Sequence, residues 1–224
     1  LRIYDPFDVF TIEGEDEPSR RSAELIRGFL EQTRALLEGE AKANGLLLRG
    51  FSSLPPIDGY RERYNLRAAA IAIYPMYRGV ARLAGMEVLE PGGDLAAQIA
   101  AARDRLDDFD FFFIHTKGPD TAGHGGEFER KVAALEEIDP HIPALTDLGT
   151  EVVIVTGDHS TPCVHREHSW HPVPVIISSR RSIPVEGTTF SERGVLAGDL
   201  GTFPAPALMQ LALAHAGRLD KFGA

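Results

Sequence analysis

Strand-length runs of apolar residues, separated by segments with helical periodicity, constrain the fold of this chain more than any other feature. The strongest run lies at 109–115, Phe-Asp-Phe-Phe-Phe-Ile-His, and two more lie at 68–74 and 151–156. Strands that are apolar on both faces are typical of parallel sheets covered by helices on both sides. Their alternation with helical segments therefore predicts an α/β fold with a mostly parallel sheet.

Other segments extend this alternation in both directions. An acidic loop at 13–20 precedes a helix that should end near Glu38, with Ser19 or Ser22 as its cap. The remaining predictions are strands at 46–48, 86–89 and 173–178, and helices at 76–84, 95–106 (capped by Asp94), 127–138 and 205–216. No internal repeat interrupts this pattern.

The composition excludes several classes of protein. The formal net charge is −10, so nucleic acid and anionic membrane surfaces are repelled. The apolar runs fall short of the ~18 residues that a membrane-spanning helix needs, and the first residues do not form a signal peptide. Cys163 is the only cysteine, which excludes an internal disulfide and a Cys-type zinc site. We therefore expect a cytoplasmic protein with neither nucleic-acid nor membrane partners.

Clusters of metal-ligating residue types lie next to three of the predicted strands. One follows the strand that ends at His115, one follows the strand that ends at Thr156, and one precedes the strand at 173–178. Together they supply carboxylate and imidazole groups: Asp120, His124, Asp158, His159, His168 and His171. Parallel sheets gather ligand sites at the carboxyl ends of their strands, so the first two clusters are expected to lie close together.

A site with both carboxylate and imidazole ligands suits first-row divalent ions such as Mn²⁺, Zn²⁺ or Co²⁺. Asp120 and His124 are four residues apart, a spacing that lets a turn direct both side chains to one point. Asp158 and His159, placed beyond a strand end, could serve two neighbouring ions, one each. Two ions roughly 4 Å apart can hold the attacking and leaving oxygens of a phosphoryl transfer.

These motifs resemble those of one enzyme family. Asp120-Thr-Ala-Gly-His-Gly, Gly157-Asp-His-Ser and His168-Ser-Trp-His-Pro-Val-Pro resemble the alkaline phosphatase superfamily, and within it the cofactor-independent phosphoglycerate mutases. The segments 46–50 and 70–86, the latter containing Tyr-Pro-Met-Tyr-Arg-Gly, are similar to the archaeal-type branch. The resemblance implies an alkaline-phosphatase-like, mostly parallel sheet with helices on both faces. It also implies part of a smaller inserted α/β lobe, with 1–65 in that lobe and 66–224 in the metal-binding lobe.

The resemblance implies roles for individual residues. The ligands of the metal that contacts the nucleophile would be Asp158 and His159, and those of the second metal would be Asp120, His124 and His168. His171 belongs to the same motif as His168, but only the first histidine aligns with the family ligand. Arg78 would neutralise the phosphoryl group, and Arg49 would contact substrate carboxylate or phosphate. Lys117 is typical of this branch and is expected among the catalytic residues.

The resemblance also implies an activity. The family interconverts 3-phosphoglycerate and 2-phosphoglycerate through a serine that takes the phosphoryl group, an isomerase reaction of glycolysis and gluconeogenesis. Two divalent ions are implied, with Mn²⁺ favoured over Mg²⁺, Co²⁺ or Zn²⁺. The family's nucleophilic serine and one further aspartate ligand lie upstream of everything in this sequence. That segment is expected in cis, and the chain alone is expected to be inactive.

Three alternatives stay open at the level of the sequence. The chain could come from a metal-dependent phosphatase or other hydrolase of the same superfamily. It could be a non-catalytic fragment that binds metal or a partner protein, or a plain α/β domain with structural histidines. Ser160 and Ser169 lie inside the ligand motifs but not where the family has its nucleophile, so they are expected to act as turn hydroxyls.

Overall fold

The computed structural model describes residues 16–46, 48, 54–185 and 189–219. The chain forms two compact units that meet in sequence between Pro56 and Ile57. Arg49 lies outside the described residues, as does Leu47 in the middle of the strand expected at 46–48. The division into an inserted lobe at 1–65 and a metal-binding lobe at 66–224 stays a prediction.

The first unit contains one long helix, α1 (Glu17–Leu37). Its cap is Asp16, whose side chain accepts a hydrogen bond of 2.8 Å from the backbone N–H of Ser19. The expectation that Ser19 or Ser22 caps this helix is therefore wrong, because both lie inside its first turns. The hydroxyl of Ser22 instead donates to the carbonyl of Pro18.

The second unit alternates strands and helices, as the sequence predicts. Its strands are β1 (Ala68–Ala72), β2 (Glu87–Val88), β3 (Phe111–His115), β4 (Val152–Thr156) and β5 (Val175–Ser179). Its α-helices are α2 (Tyr60–Tyr64), α3 (Pro75–Leu83), α4 (Leu95–Arg103), α5 (Gly118–Gly125), α6 (Phe128–Glu136), α7 (Ile142–Thr146) and α8 (Ala207–His215), with 3₁₀ turns at Asp139–His141 and Gly194–Ala197. Among the described residues, no helix is both long and apolar enough to cross a membrane.

A three-stranded parallel sheet, in the order β2-β1-β3, forms the centre of the second unit. All five residues of β1 are buried, and four of them are alanine, so helices can approach this strand closely. Helices α3 and α4 both pack against β1. The cap predicted at Asp94 is confirmed, since its side chain accepts a hydrogen bond of 2.8 Å from the N–H of Ala97. The predicted α/β fold with a parallel sheet is confirmed.

The last two strands pair differently from the first three. Strands β4 and β5 form an antiparallel ladder in which Ile154 lies opposite Ile177. Parallel neighbours need a crossover connection, usually a helix. The segment 157–174, which joins these strands, contains no helix and carries two of the three ligand clusters. The chain therefore reverses direction between β4 and β5 through a loop, and that loop presents the residues of the second and third clusters.

Asp110 ties the start of the central sheet to the segment that follows α8. Its carboxylate accepts hydrogen bonds from the backbone N–H and the Nε of Arg67, at 2.9 and 3.1 Å, and from Arg218 at 3.0 Å. Partial burial alone would raise the pKa of Asp110. The bonds from the two arginines outweigh that effect and lower this pKa to about 2.

We predict that Asp110→Asn lowers the free energy of unfolding at pH 7 by about 1–2 kcal/mol, a discounted value because Arg67 is half exposed. The pKa of Asp110 is lower in the folded state than in the unfolded state. Its stabilisation is thus complete above about pH 4 and lost as the pH falls toward 2. Urea unfolding at several pH values measures both effects.

The matched control is Asp108→Asn, which removes a carboxylate that pairs with Arg105 only three residues away along the chain. Its effect should be smaller than that of the change at Asp110, since exposed local pairs contribute little. If Asp110→Asn loses as much stability between pH 4 and pH 2 as the wild type does, Asp110 is not the group responsible for that loss.

Candidate metal centre

Helix α5 places the first two predicted ligands on one face. Two residues separate it from the end of β3, and it stops at Gly126, which adopts a left-handed conformation with φ of 72°. Asp120 and His124 are four residues apart on this helix, and the Oδ1 of Asp120 lies 3.6 Å from the Nε2 of His124. The sequence predicted a turn here. The structure has a helix instead, which brings the two side chains together through its periodicity.

The loop after β4 brings the other two clusters into contact. Asp158 and His159 follow β4 after a single intervening residue, Gly157. Further along, the N–H of Ser169 donates to the carbonyl of Ser160 at 2.9 Å, which folds the loop back on itself. This bridge places His168 next to His159, with ring centroids 3.7 Å apart. This backbone hydrogen bond and that from the Ser160 hydroxyl to the carbonyl of His171 join the second and third clusters.

The carboxylate of Asp120 lies at the centre of the assembled cluster. Its Oδ1 lies 3.6 Å from His124 Nε2, 3.7 Å from His168 Nε2 and 3.9 Å from His159 Nδ1. The Nε2 of His159 lies 3.5 Å from the Oδ2 of Asp158. The structure therefore brings together all five residues that the sequence analysis assigned as metal ligands.

These separations suit a shared cation. Two ligand atoms about 2.1 Å from a metal in tetrahedral geometry are roughly 3.4 Å apart. The measured distances of 3.5–3.9 Å between carboxylate and imidazole atoms are close to this value. One atom each from Asp120, His159 and His168 also lies within 4.8 Å of the other two. The donor set, nitrogen and carboxylate oxygen, therefore fits a first-row divalent ion.

Hydrogen bonds keep Asp120 charged in spite of its partial burial. Burial works against the carboxylate, but bonds from the Lys117 ammonium and the Thr161 hydroxyl outweigh it and lower the pKa of Asp120. Lys117 lies at the start of α5, and its Nζ also lies 5.0 Å from the ring centroid of Tyr74. Lys117, predicted as catalytic, therefore contacts the cluster directly.

Tyr77 and His115, to which the sequence assigned no role, also belong to this site. The hydroxyl of Tyr77, on α3, donates a hydrogen bond to the carboxylate of Asp158. Its ring stacks on His115, with centroids 3.8 Å apart. Tyr77 lies within the Tyr-Pro-Met-Tyr-Arg-Gly segment from which Arg78 was predicted. The segment could therefore be recognised in the sequence, but the contact of Tyr77 with Asp158 could not.

The ionisation of these groups follows from their surroundings. Burial raises the pKa of the Tyr77 hydroxyl, and its bond to Asp158 raises it further. Burial would raise the pKa of Asp158, but the bond from Tyr77 and the nearby His159 lower it overall. Burial also lowers the pKa of His115, whose Nδ1 has no hydrogen-bond partner among the described residues. At neutral pH the site thus combines anionic carboxylates with a neutral phenol.

Two other predicted residues, Arg78 and His171, bond partners outside the set of five ligands. The guanidinium of Arg78 forms an ion pair with Glu90, with 2.7 Å between Nη2 and Oε1. The Nδ1 of His171 bonds the hydroxyl of Ser169 at 2.8 Å, and the hydroxyl of Ser160 donates to the His171 carbonyl at 3.2 Å. Both serine hydroxyls thus make local bonds within the loop.

Comparisons with known proteins fit this site. A family model described as "Metalloenzyme superfamily" matches residues 28–215. A probable 2,3-bisphosphoglycerate-independent phosphoglycerate mutase from Thermotoga maritima is 43% identical over 95% of this chain and 53% of its own length. Its counterpart from Aquifex aeolicus is 41% identical over 95% of this chain and 52% of its own length. The chain therefore spans about half the length of the curated relatives it matches.

Solved structures agree with these matches. A protein from Pyrococcus horikoshii has a TM-score of 0.80 and 31% identity, covering 92% of this chain and 60% of that one. A cofactor-independent phosphoglycerate mutase from Thermoplasma acidophilum has a TM-score of 0.63 and 24% identity, covering 90% of this chain and 54% of that one, and shows the likeness of fold alone. With a family match over most of its length and carboxylate and imidazole ligands gathered at one point, the chain belongs to the metalloenzyme superfamily.

Proposed function

We propose that this chain supplies the metal-binding part of a cofactor-independent phosphoglycerate mutase, an isomerase that interconverts 3-phosphoglycerate and 2-phosphoglycerate in the cytoplasm. The observation that carries the proposal is the convergence of ligands from helix α5 and from two parts of the 157–174 loop on the carboxylate of Asp120. The names of the relatives from Thermotoga and Aquifex support the choice of reaction. A small phosphorylated glycerate is the substrate proposed for the whole protein.

The geometry supports two neighbouring ion sites. One is formed by Asp120, His124 and His168, since the Nε2 atoms of both histidines face the same carboxylate oxygen. The other is formed by Asp158 and His159, which face each other at 3.5 Å. The second set has only two ligands from this sequence. Upstream residues, an aspartate and the nucleophilic serine, are proposed to complete it in cis.

A different grouping, Asp120 with His159 and His168, is also compact. We favour the first arrangement because the Nδ1 of His159 lies 3.1 Å from the hydroxyl of Thr161 and is therefore engaged in a hydrogen bond. Its other ring nitrogen, Nε2, is the one that faces Asp158. Mn²⁺ is the proposed ion for both sites, with Mg²⁺, Co²⁺ and Zn²⁺ as competitors that metal analysis distinguishes.

Bound divalent ions would stabilise the negative charge that develops on a transferring phosphoryl group. Within this chain, Lys117 holds Asp120 and adds a positive charge beside the cluster. Tyr77 orients the Asp158 carboxylate through its hydroxyl. Arg78 is proposed to exchange Glu90, a largely exposed partner, for the substrate phosphoryl group. Arg49 is proposed to contact the substrate carboxylate or phosphate.

We predict that the full-length protein binds Mn²⁺ and that His124→Ala lowers the amount bound by about one equivalent, because one ion loses a ligand. Metal analysis of chelator-treated protein after Mn²⁺ titration measures this. The control is His165→Ala, an exposed histidine in the 157–174 loop that is not among the five ligands. Wild-type protein with less than about half an equivalent of bound metal would overturn the proposed sites.

We predict that the full-length protein converts 3-phosphoglycerate to 2-phosphoglycerate, that His124→Ala abolishes this with the fold intact, and that residues 1–224 alone are inactive. Phosphorus NMR of the reaction mixture separates the products, and circular dichroism checks the fold. Free phosphate without 2-phosphoglycerate would instead identify a phosphatase. Absence of any turnover by full-length protein would favour a non-catalytic metal-binding module.

We predict that Tyr77→Phe weakens Mn²⁺ binding by roughly 10-fold, since second-shell partners of metal ligands typically contribute that much or more. The phenylalanine keeps the ring on His115 but removes the O–H that orients Asp158. Calorimetric titration measures the affinity. Tyr74→Phe, on an adjacent and more exposed tyrosine, is the matched control. Equal affinities for the two variants and wild type would contradict this role.

A further inference from the structure

Thr161 is one of two polar side chains that are buried among the described residues, at 3% exposure. Its hydroxyl Oγ1 lies 2.7 Å from the Oδ1 of Asp120 and 3.1 Å from the Nδ1 of His159. These partners belong to different elements, Asp120 to α5 and His159 to the loop after β4. One hydroxyl therefore contacts a member of each proposed ligand set.

The position of Thr161 is fixed from two sides. Its carbonyl accepts a hydrogen bond of 2.7 Å from the Nζ of Lys131, on α6. The same carbonyl packs so closely against Gly123 that a Cβ at this glycine would lie 2.4 Å from it. Only glycine at 123 permits this approach of the loop to α5. The hydroxyl is consequently held in place by contacts that do not depend on the metal ligands.

Counting hydrogens decides the direction of these bonds. A threonine hydroxyl has one hydrogen to donate, and an ionised carboxylate can only accept. The hydrogen of Thr161 therefore goes to Asp120, at 2.7 Å. The Nδ1 of His159 must then be the donor in the bond to Oγ1. A neutral imidazole with its hydrogen on Nδ1 has a free lone pair on Nε2.

We propose that Thr161 is a positioning residue that joins the two ligand sets, holding the Asp120 carboxylate in place and fixing His159 in the tautomer whose Nε2 is free to bind a cation. The inference rests on the proposed metal sites and adds a residue to them. The orientation agrees with the rest of the site, because the Nε2 of His159 is the atom that faces Asp158. Removing one hydroxyl should therefore disturb both ion sites.

The test uses Thr161→Val, which keeps the shape of the side chain but removes the hydroxyl, and Thr161→Ser, which keeps the hydroxyl. Nitrogen NMR of metal-free full-length protein labelled in its histidines reports which ring nitrogen of His159 carries the hydrogen. Calorimetric titration with Mn²⁺ gives the affinity. We expect Nδ1–H in wild type and in Thr161→Ser. We expect loss of that preference and about 10- to 100-fold weaker binding in Thr161→Val.

Each outcome bears on a separate claim. Wild-type protein that binds no Mn²⁺ would overturn the proposed metal sites and this inference with them. Wild-type protein that binds Mn²⁺ but carries the His159 hydrogen on Nε2 would overturn the role of Thr161 alone. So would a Thr161→Val variant with unchanged affinity and tautomer. If Thr161→Val does not fold, the wild-type tautomer and the affinity of Thr161→Ser still decide the question.

Discussion

The partly buried carboxylate of Asp120 is the group on which the rest of the site depends. Burial by itself would raise the pKa of this carboxyl, and the hydrogen bonds that Lys117 and Thr161 donate outweigh burial and lower it. Three imidazoles then lie within 4 Å of one of its oxygens. An anion held in this way, with imidazole groups around it, forms a set of ligands that fits a divalent cation.

A few features of the fold determine where the ligands lie. The parallel pairing of β3 with the buried strand β1 fixes the point from which α5 begins, and the end of β4 fixes the start of the second cluster. The Ser160–Ser169 bridge then returns the third cluster to the second. Because α5 is a helix, Asp120 and His124 share a face without further support. A helix thus carries two of the ligands, and the 157–174 loop carries the other three.

Local sequence patterns predicted much of the fold. The apolar runs located β1, β3 and β4, and Asp94 was correctly identified as a cap because it directly precedes a periodic apolar segment. The cap of α1 was assigned wrongly, since an acidic loop offered several capping residues and only backbone geometry selected Asp16. Helix α5 was missed because its sequence, rich in glycine and with a proline at its second position, has low helix propensity.

By itself, the sequence determined which residue types could bind a metal and where along the chain the strands beside them lie. Both depend on residues only a few positions apart in the sequence. Only the tertiary structure decided that Asp120 is central, that Thr161 bonds it across 41 positions and that Tyr77 bonds Asp158 across 81. Such contacts depend on how separate strands and loops pack together. The spacing of residues along the sequence does not predict that packing. The hydrogen-bond partners of the ligands could therefore be identified only in the folded structure.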